Sequence, residues 1–144
     1  MSEGFSAEEK AAMKEAAAEK RRAAKRAKSA DKAAADLQDL MDKIEAMGES
    51  DRALALTVHE LIMSAAPQLA PRTWYGMPAY SADGKVVCFF QESGKFKSRY
   101  STLGFQDPAR LDDGTMWPTS FAITAIGPRE EQAIRDLVKQ AVGE

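Results

Sequence analysis

The fold is indicated most clearly by one stretch of the chain, residues 72–90, which reads RTWYGMPAYSADGKVVCFF. Asp83-Gly84 is a strong two-residue hairpin signal, and Val86-Val87-Cys88-Phe89-Phe90 is a short apolar strand pattern. Pro78 keeps the preceding Met77 out of the helical region of backbone space. The stretch therefore predicts extended strands that are joined by a tight antiparallel turn.

Further elements are predicted on both sides of this hairpin. Strands are expected over residues 97–105 and 121–126, and amphipathic helices over residues 36–47 and from Ser50 or Asp51 to about residue 66. Pro128 is at the favoured first position of a terminal helix. Consecutive strands joined by tight turns form antiparallel sheets, so the predicted class is α+β, with about five strands and the helices packed on one face.

The other face of such a sheet is often exposed to water. Simple alternation along the apolar strand puts Val86, Cys88 and Phe90 on one face and Val87 and Phe89 on the other. An apolar side chain on the uncovered face would offer a partner or ligand site.

Residues 1–35 differ in composition from the rest of the chain. They carry a net charge of +3 and residues 36–144 carry −5, so a weakly basic arm precedes an acidic body. Ser6 and Glu9 have the spacing of a helix capping box, and good helix formers follow. Met13 is the only large apolar side chain from residue 7 to residue 35, so this segment is expected to be an exposed helix or a disordered arm. Residues 36–144 are predicted to be one domain.

Composition excludes several classes of protein. The chain has 144 residues, and it contains no apolar run of the roughly 18 residues that would cross a bilayer. No apolar region follows the polar first ten residues, so export is not expected. One cysteine and one histidine are too few for a structural zinc site, and a single cysteine favours a reducing cytoplasm.

No known catalytic motif is recognisable in the sequence. His59, Cys88 and the pair Asp112-Asp113 are the candidates for a catalytic role, but each has a more ordinary structural interpretation. His59 lies at the margin of a helical apolar stripe, Cys88 lies in an apolar strand, and the two aspartates lie in a turn-rich loop. No catalytic residue is assigned.

Two charged segments are candidate binding surfaces. On the helix predicted over residues 36–47, a strip of carboxylates lies opposite the apolar stripe and continues just beyond the end of the helix. Its residues are Asp39, Asp42, Glu45 and Glu49. In the arm, six cations occur in nine residues and could contact nucleic-acid phosphates: Lys20, Arg21, Arg22, Lys25, Arg26 and Lys28. Both segments are also typical of solvated helix faces.

Residues 74–80, which read WYGMPAY, resemble the most specific part of the YdhG-like family of small bacterial domains of unknown function. Leu61-Ile62, Leu103-Gly104-Phe105 and Leu111-Asp112-Asp113-Gly114 also match, and the resemblance extends over about residues 47–142. It implies a fold similar to frataxin, with helices on one side of an antiparallel sheet. It also implies weak iron binding as one possible role, with the acidic strip as the site.

The leading hypothesis from the sequence is a non-enzymatic binding module. Its ligand would be a small molecule or a protein, and iron is the only cofactor considered. The candidate ligand-binding residues are mostly aromatic and come chiefly from the stretch at residues 74–80: Trp74, Tyr75, Met77, Pro78, Tyr80 and Trp117. One alternative is a nucleic-acid-associated protein that uses the basic arm, and the other is an enzyme with an unfamiliar site near the same loop. No membrane partner is expected.

Overall fold

The computed structural model describes residues 6–28 and 31–144. The chain divides into two compact units, with the boundary between Ala35 and Asp36. The elements are, in chain order, α1 (Ala7–Lys28), α2 (Asp31–Glu45), α3 (Glu49–Ala65), β1 (Ala70–Trp74), β2 (Met77–Ala82), β3 (Lys85–Gln91), α4 (Ser93–Phe96), β4 (Ser101–Phe105), β5 (Ser120–Ile123) and α5 (Pro128–Ala141). None of the helices within the described ranges has the length and apolar character needed to span a bilayer.

Helix α1 begins with the predicted capping box. The Ser6 hydroxyl accepts a hydrogen bond from the Glu9 backbone N–H at 3.1 Å, and Glu9 accepts one from the Ser6 N–H at 3.5 Å. These reciprocal bonds satisfy donors that the first helical turn leaves free. Met13 is half exposed, in keeping with a helix that has no apolar stripe of its own.

The five strands form one antiparallel sheet in the order β1-β2-β3-β4-β5, which confirms the predicted fold class. Two tight turns build its first half. Asp83 (φ 51°) and Gly84 (φ 78°) connect β2 to β3, and Tyr75 (φ 49°) and Gly76 (φ 75°) connect β1 to β2. Positive φ at both central residues matches the right-handed twist of paired strands, which explains why both connections need only two residues.

The alternation predicted for β3 is wrong at its start because the strand contains a bulge. Tyr80 pairs with Cys88 but Ser81 pairs with Val86, so Val87 is the extra residue. Val87 therefore lies beside Cys88 in the hydrophobic core, and Val86 moves to the face that carries Phe89. The bulge increases the apolar surface that β3 contributes to the core.

The core lies between the helices of residues 36–144 and one face of the sheet. Helices α2, α3 and α5 each contribute a buried apolar stripe, and β2, β3 and β4 contribute the facing side chains. The fully buried members include Leu40, Ile44, Val58, Ile62, Tyr80, Cys88, Phe90, Leu103 and Val138. In α2, Leu37 from the predicted stripe is 38% exposed, so burial begins at Leu40. The opposite face of the sheet carries Trp74, Met77 and Phe89, which are all partly exposed.

On this second face, the ring of Phe89 lies directly over Gly104, its partner on β4. A Cβ atom at Gly104 would overlap the ring, so only glycine lets Phe89 lie flat on the sheet. Substitution Gly104→Ala should therefore lower the free energy of unfolding by about 1–3 kcal/mol, as expected for overpacking. Urea unfolding followed by circular dichroism measures this cost.

The same substitution in a Phe89→Ala background provides the control. If overlap with the ring is the cause, Gly104→Ala should cost much less there, because the ring is gone. Equal costs in both backgrounds would show that the ring contact does not explain the glycine.

Candidate functional site

The residues predicted as a ligand site lie in and around the β1–β2 hairpin, but they do not form one cluster. Trp74 and Met77 are paired at the end of the hairpin, and Tyr75 occupies the turn with 81% of its surface exposed. Pro78 and Tyr80 have side chains that are buried in the core on the helix-covered face. Alternation along β2 separates these two from Met77.

Trp117 lies far from this hairpin in the meander. It belongs to the connection between β4 and β5, where it lines a cavity of about 560 Å³ together with Phe105 and Asp112. In the antiparallel sheet, β1 ends at the Tyr75 turn, whereas β4 ends and β5 begins at the opposite end of the sheet. The connection between β4 and β5 therefore lies at the end away from the Tyr75 turn. The six predicted residues are therefore distributed over three places.

What the structure brings together is a row of three aromatic rings, which we call the aromatic row: Tyr75, Trp74 and Phe89. The Trp74 ring centre lies 4.9 Å from that of Tyr75, in an edge-to-face arrangement, and 5.4 Å from that of Phe89. The row runs from the exposed turn onto the face of the sheet that faces away from the core. The sequence predicts that Phe89 lies on the opposite face from Cys88, but its position beside Trp74 depends on strand pairing.

The connection between β3 and β4 lies at the same end of the sheet as the Tyr75 turn. We call residues 94–100, which read GKFKSRY, the basic loop. It carries three exposed cations, Lys95, Lys97 and Arg99, and the ring of Phe96, which is 47% exposed. The Nζ atom of Lys95 would lie 2.8 Å from a Cβ atom placed on Gly76, so this lysine lies against the hairpin turn.

The sequence pattern predicts a strand from Lys97 to residue 105, which includes most of this loop, and so does not indicate an exposed basic surface here. Lys97 instead has a left-handed backbone conformation (φ 52°), and β4 begins only at Ser101. The alternation of cations with aromatics is a usable sequence signal, because cations contact phosphates and rings contact bases. Arg99 is 5.4 Å from the ring centre of Tyr100, which is within the range of a cation–π contact.

The basic loop is fastened to α3 by a buried carboxylate. Asp51 is only 7% exposed, and its Oδ1 atom accepts hydrogen bonds from the hydroxyls of Ser93 at 2.7 Å and Ser101 at 3.1 Å. Its Oδ2 atom accepts one from the Gly94 backbone N–H at 2.9 Å, and the Ser93 N–H donates to the Ser101 hydroxyl at 3.1 Å. We call this group the Asp51 network.

The Asp51 network corrects the predicted role of Asp51 or Ser50 as a helix cap. Helix α3 begins at Glu49 with Gly48 in the capping position and with no side-chain cap. Asp51 instead lies inside the first turn, where its side chain reaches the loop between β3 and β4. Since the partners are more than 40 positions away in sequence, no local pattern indicates them.

The network also sets the ionisation of two carboxyl groups. Burial alone would raise the pKa of Asp51, but the hydrogen bonds from Ser93, Gly94 and Ser101 outweigh it, and the net pKa is lowered. Burial raises the pKa of the neighbouring Glu92, and the negative charge of Asp51 raises it further. Asp51 is therefore a permanent anion at neutral pH, with a structural role.

Replacing Asp51 by Asn should destabilise the protein by about 2–3 kcal/mol, because charged hydrogen bonds are lost and an amide NH₂ group faces the Gly94 N–H donor.

The pKa of Asp51 is lower in the folded protein than in the unfolded chain. The stabilisation by Asp51 is therefore present above the unfolded pKa and is lost as pH falls from there through the folded pKa. Asp51→Asn should therefore also reduce the loss of stability in acid, measured by thermal unfolding across pH. The exposed Asp113→Asn is the matched control and should change neither quantity.

The groups considered for catalysis differ in their surroundings, since Cys88 is buried in the core, His59 is partly buried, and the two aspartates are exposed. Burial raises the pKa of the Cys88 thiol to about 12, so it remains protonated at neutral pH and is a poor nucleophile. Burial also raises the pKa of Tyr80, which remains a hydroxyl donor. The Tyr80 hydroxyl lies 2.9 Å from Nδ1 of His59. Asp112 and Asp113 are exposed in the β4–β5 connection.

Burial lowers the pKa of His59, so folding favours the neutral imidazole, whose Nδ1 atom shares a hydrogen bond with the Tyr80 hydroxyl. The stabilisation is complete above the ordinary His pKa and is lost as pH falls through the lower folded value. Thermal unfolding from about pH 7 to about pH 5 should show this loss. His59→Asn keeps an acceptor but cannot titrate, so its stability should change less over the same range. An identical pH dependence in both proteins would refute the assignment.

The acidic strip is exposed and spread over two helices. Asp39, Asp42 and Glu45 lie on α2, and Glu49 is the first residue of α3. Asp42 accepts a hydrogen bond from Gln38 at 2.8 Å. Within residues 6–28 and 31–144, no three acidic, histidine or cysteine side chains are grouped so that they could hold a metal ion. The strip has the arrangement of a solvated helix face.

The basic run of the arm lies within α1. Lys20 and Arg21 are exposed. The side chains of the other four cations predicted for nucleic-acid binding lie outside the described part of the structure, and they are Arg22, Lys25, Arg26 and Lys28.

Comparison with known proteins adds no assignment. No protein-family model, curated protein or solved structure matches the chain.

Proposed function

We propose that this protein is a non-enzymatic binding module that binds single-stranded nucleic acid through the aromatic row and the basic loop. The observation that carries the proposal is the continuity of three rings, from the exposed Tyr75 across Trp74 to Phe89, beside a loop with three exposed cations. Stacking platforms next to positive charge are the common means of binding unpaired bases and their phosphates.

The shape of the sheet face supports this proposal. Phe89 lies flat over Gly104, and the neighbouring positions on this face hold small side chains, Ala79 on β2 and Ser120 and Ala122 on β5. Ser120 and Ala122 are exposed, so a base that stacks on Phe89 would meet only small side chains on the β5 side. Bases that are paired in a duplex do not expose their faces, so the surface suits single strands.

The charge distribution supports it as well. Residues 36–144 carry a net charge of −5, yet the basic loop has three cations and no carboxylate. Arg72 pairs with Ala79 and adds a fourth positive charge on the same face as Trp74. Positive charge is thus concentrated on the part of an acidic body where the rings lie, which is the pattern expected for contacts with phosphates.

The proposed surface includes part of the ligand site predicted at residues 74–80, and it is compatible with phosphate contacts by the basic run of α1. Residues 74–80, the most specific part of the resemblance to the YdhG-like family, provide two of the three rings. The exposed Lys20 and Arg21 of α1 offer an additional phosphate contact.

The direct test is fluorescence anisotropy of the full-length protein with a labelled oligothymidine of about 12 nucleotides. Tyr75→Ala should weaken binding by about 5- to 150-fold, the equivalent of about 1–3 kcal/mol for one stacked base. The double substitution Lys95→Gln and Lys97→Gln should reduce the slope of log affinity against log salt by about 1.4, because each phosphate contact on a single strand contributes about 0.7. The double substitution Arg129→Gln and Lys139→Gln on α5 removes the same two charges, and it is the control that should leave both quantities unchanged.

A second readout locates the bases. The sequence contains two tryptophans, Trp74 and Trp117, so Trp117→Phe leaves Trp74 as the only indole. Oligothymidine should then quench its fluorescence with the same affinity that anisotropy reports. Binding that survives Tyr75→Ala and the loop double substitution, but is lost in Lys20→Gln with Arg21→Gln, would contradict the proposed surface and identify α1 as the binding element.

A further inference from the structure

A second recess lies on the helix side of the same end of the sheet. It has a volume of about 510 Å³ and opens between the first two turns of α3, the end of the basic loop and the connection from β5 to α5. This volume is within the usual range of small-molecule sites. Its walls differ from those of the aromatic row, since they combine hydroxyls and one guanidinium with aliphatic side chains.

The polar side of the recess is built around Arg99. This side chain is exposed, lies beside the Tyr100 ring, and has no carboxylate within ion-pair distance in residues 6–28 or 31–144. A planar guanidinium that has no internal partner is well suited to bind a carboxylate in a two-point contact. The hydroxyls of Thr57 and Thr124 line the same recess and can donate to the same group.

The lining of the recess also has an apolar part. Leu54 on α3 and Ile126 before α5 are both partly exposed, and Ile123 contributes to the lining. Apolar surface of this kind is left in contact with water unless a ligand covers it. The recess therefore combines one positive group with an aliphatic surface.

The charges around the recess favour a ligand with one negative charge over a ligand with several. Asp51 lines the base, and its carboxylate is engaged by Ser93, Gly94 and Ser101. Glu92 is close enough to Asp51 for the two charges to interact. These anions oppose a multiply charged phosphate, whereas one carboxylate directed at Arg99 meets a single positive partner.

We propose that this recess is a binding site for a small monocarboxylate with an apolar body, which places its carboxylate on Arg99 and its apolar part against Leu54 and Ile126. The site shares Arg99 with the basic loop, but neither the aromatic row nor Lys95 or Lys97 lines it, so carboxylate binding should persist in the Tyr75→Ala and Lys95→Gln/Lys97→Gln variants. It gives the protein a second ligand, of a different chemical class from the first.

The test is an NMR titration of the full-length protein with benzoate as the probe. Amide shifts should be saturable and confined to residues 50–57, 99–101 and 123–126, which surround the recess. Arg99→Gln should weaken binding by about tenfold or more, because it removes the charged contact. Arg52→Gln also removes one arginine charge, from α3 beside the recess, but Arg52 does not line the recess, and the affinity of this variant should equal that of the unaltered protein.

Two further probes and one further variant complete the test. Benzamide has the shape of benzoate without the charge and should bind about tenfold more weakly or worse, and inorganic phosphate should not shift these amides. Ala125→Trp places an indole at the rim and should abolish benzoate binding without lowering the melting temperature. Equal binding of benzamide and benzoate, full binding by Arg99→Gln, or equal shifts with phosphate would overturn the proposal.

Discussion

The end of the sheet that carries the Tyr75 turn and the basic loop depends on the carboxylate of Asp51. A carboxylate that is 7% exposed must have its oxygens satisfied inside the protein, since leaving a buried charge unpaired costs several kcal/mol. Its donors come from Ser93 and Gly94 at the start of one connection and from Ser101 at the start of β4. The network thereby holds together a helix, a loop and a strand that the hydrophobic core does not connect at this point.

The Asp51 network determines where the cations of the basic loop lie. Because the loop is held at Ser93 and Ser101, the residues between them project from the end of the sheet, with Lys95 against the Gly76 turn. Arg99 is held near the first turns of α3, where it lines the recess. The same carboxylate contributes a negative charge to that recess. One structural interaction thus holds the loop in place and sets part of the charge of the recess.

The sheet contributes the second constraint, which is the use of its two faces for different purposes. The bulge at Val87 adds a side chain to the core and keeps Phe89 on the other face. Gly104 has no side chain, so the Phe89 ring can lie on the backbone of β4 instead of projecting from it. One face is therefore a closed hydrophobic core, and the other carries the aromatic row beside small side chains.

The sequence alone determined those features that depend on neighbours along the chain. The Ser6–Glu9 capping box, the Asp83-Gly84 turn, the helix periodicities and the antiparallel order of the strands all follow from local patterns, and the α+β class followed from them. Tertiary structure alone decided the site. Whether Trp74 contacts Phe89, whether Tyr80 is buried, and whether Asp51 caps its helix or reaches Ser101 depend on strand register, on the bulge and on packing between elements distant in sequence. A shift of one residue in a strand reverses the face of every side chain, so local propensity cannot assign these contacts.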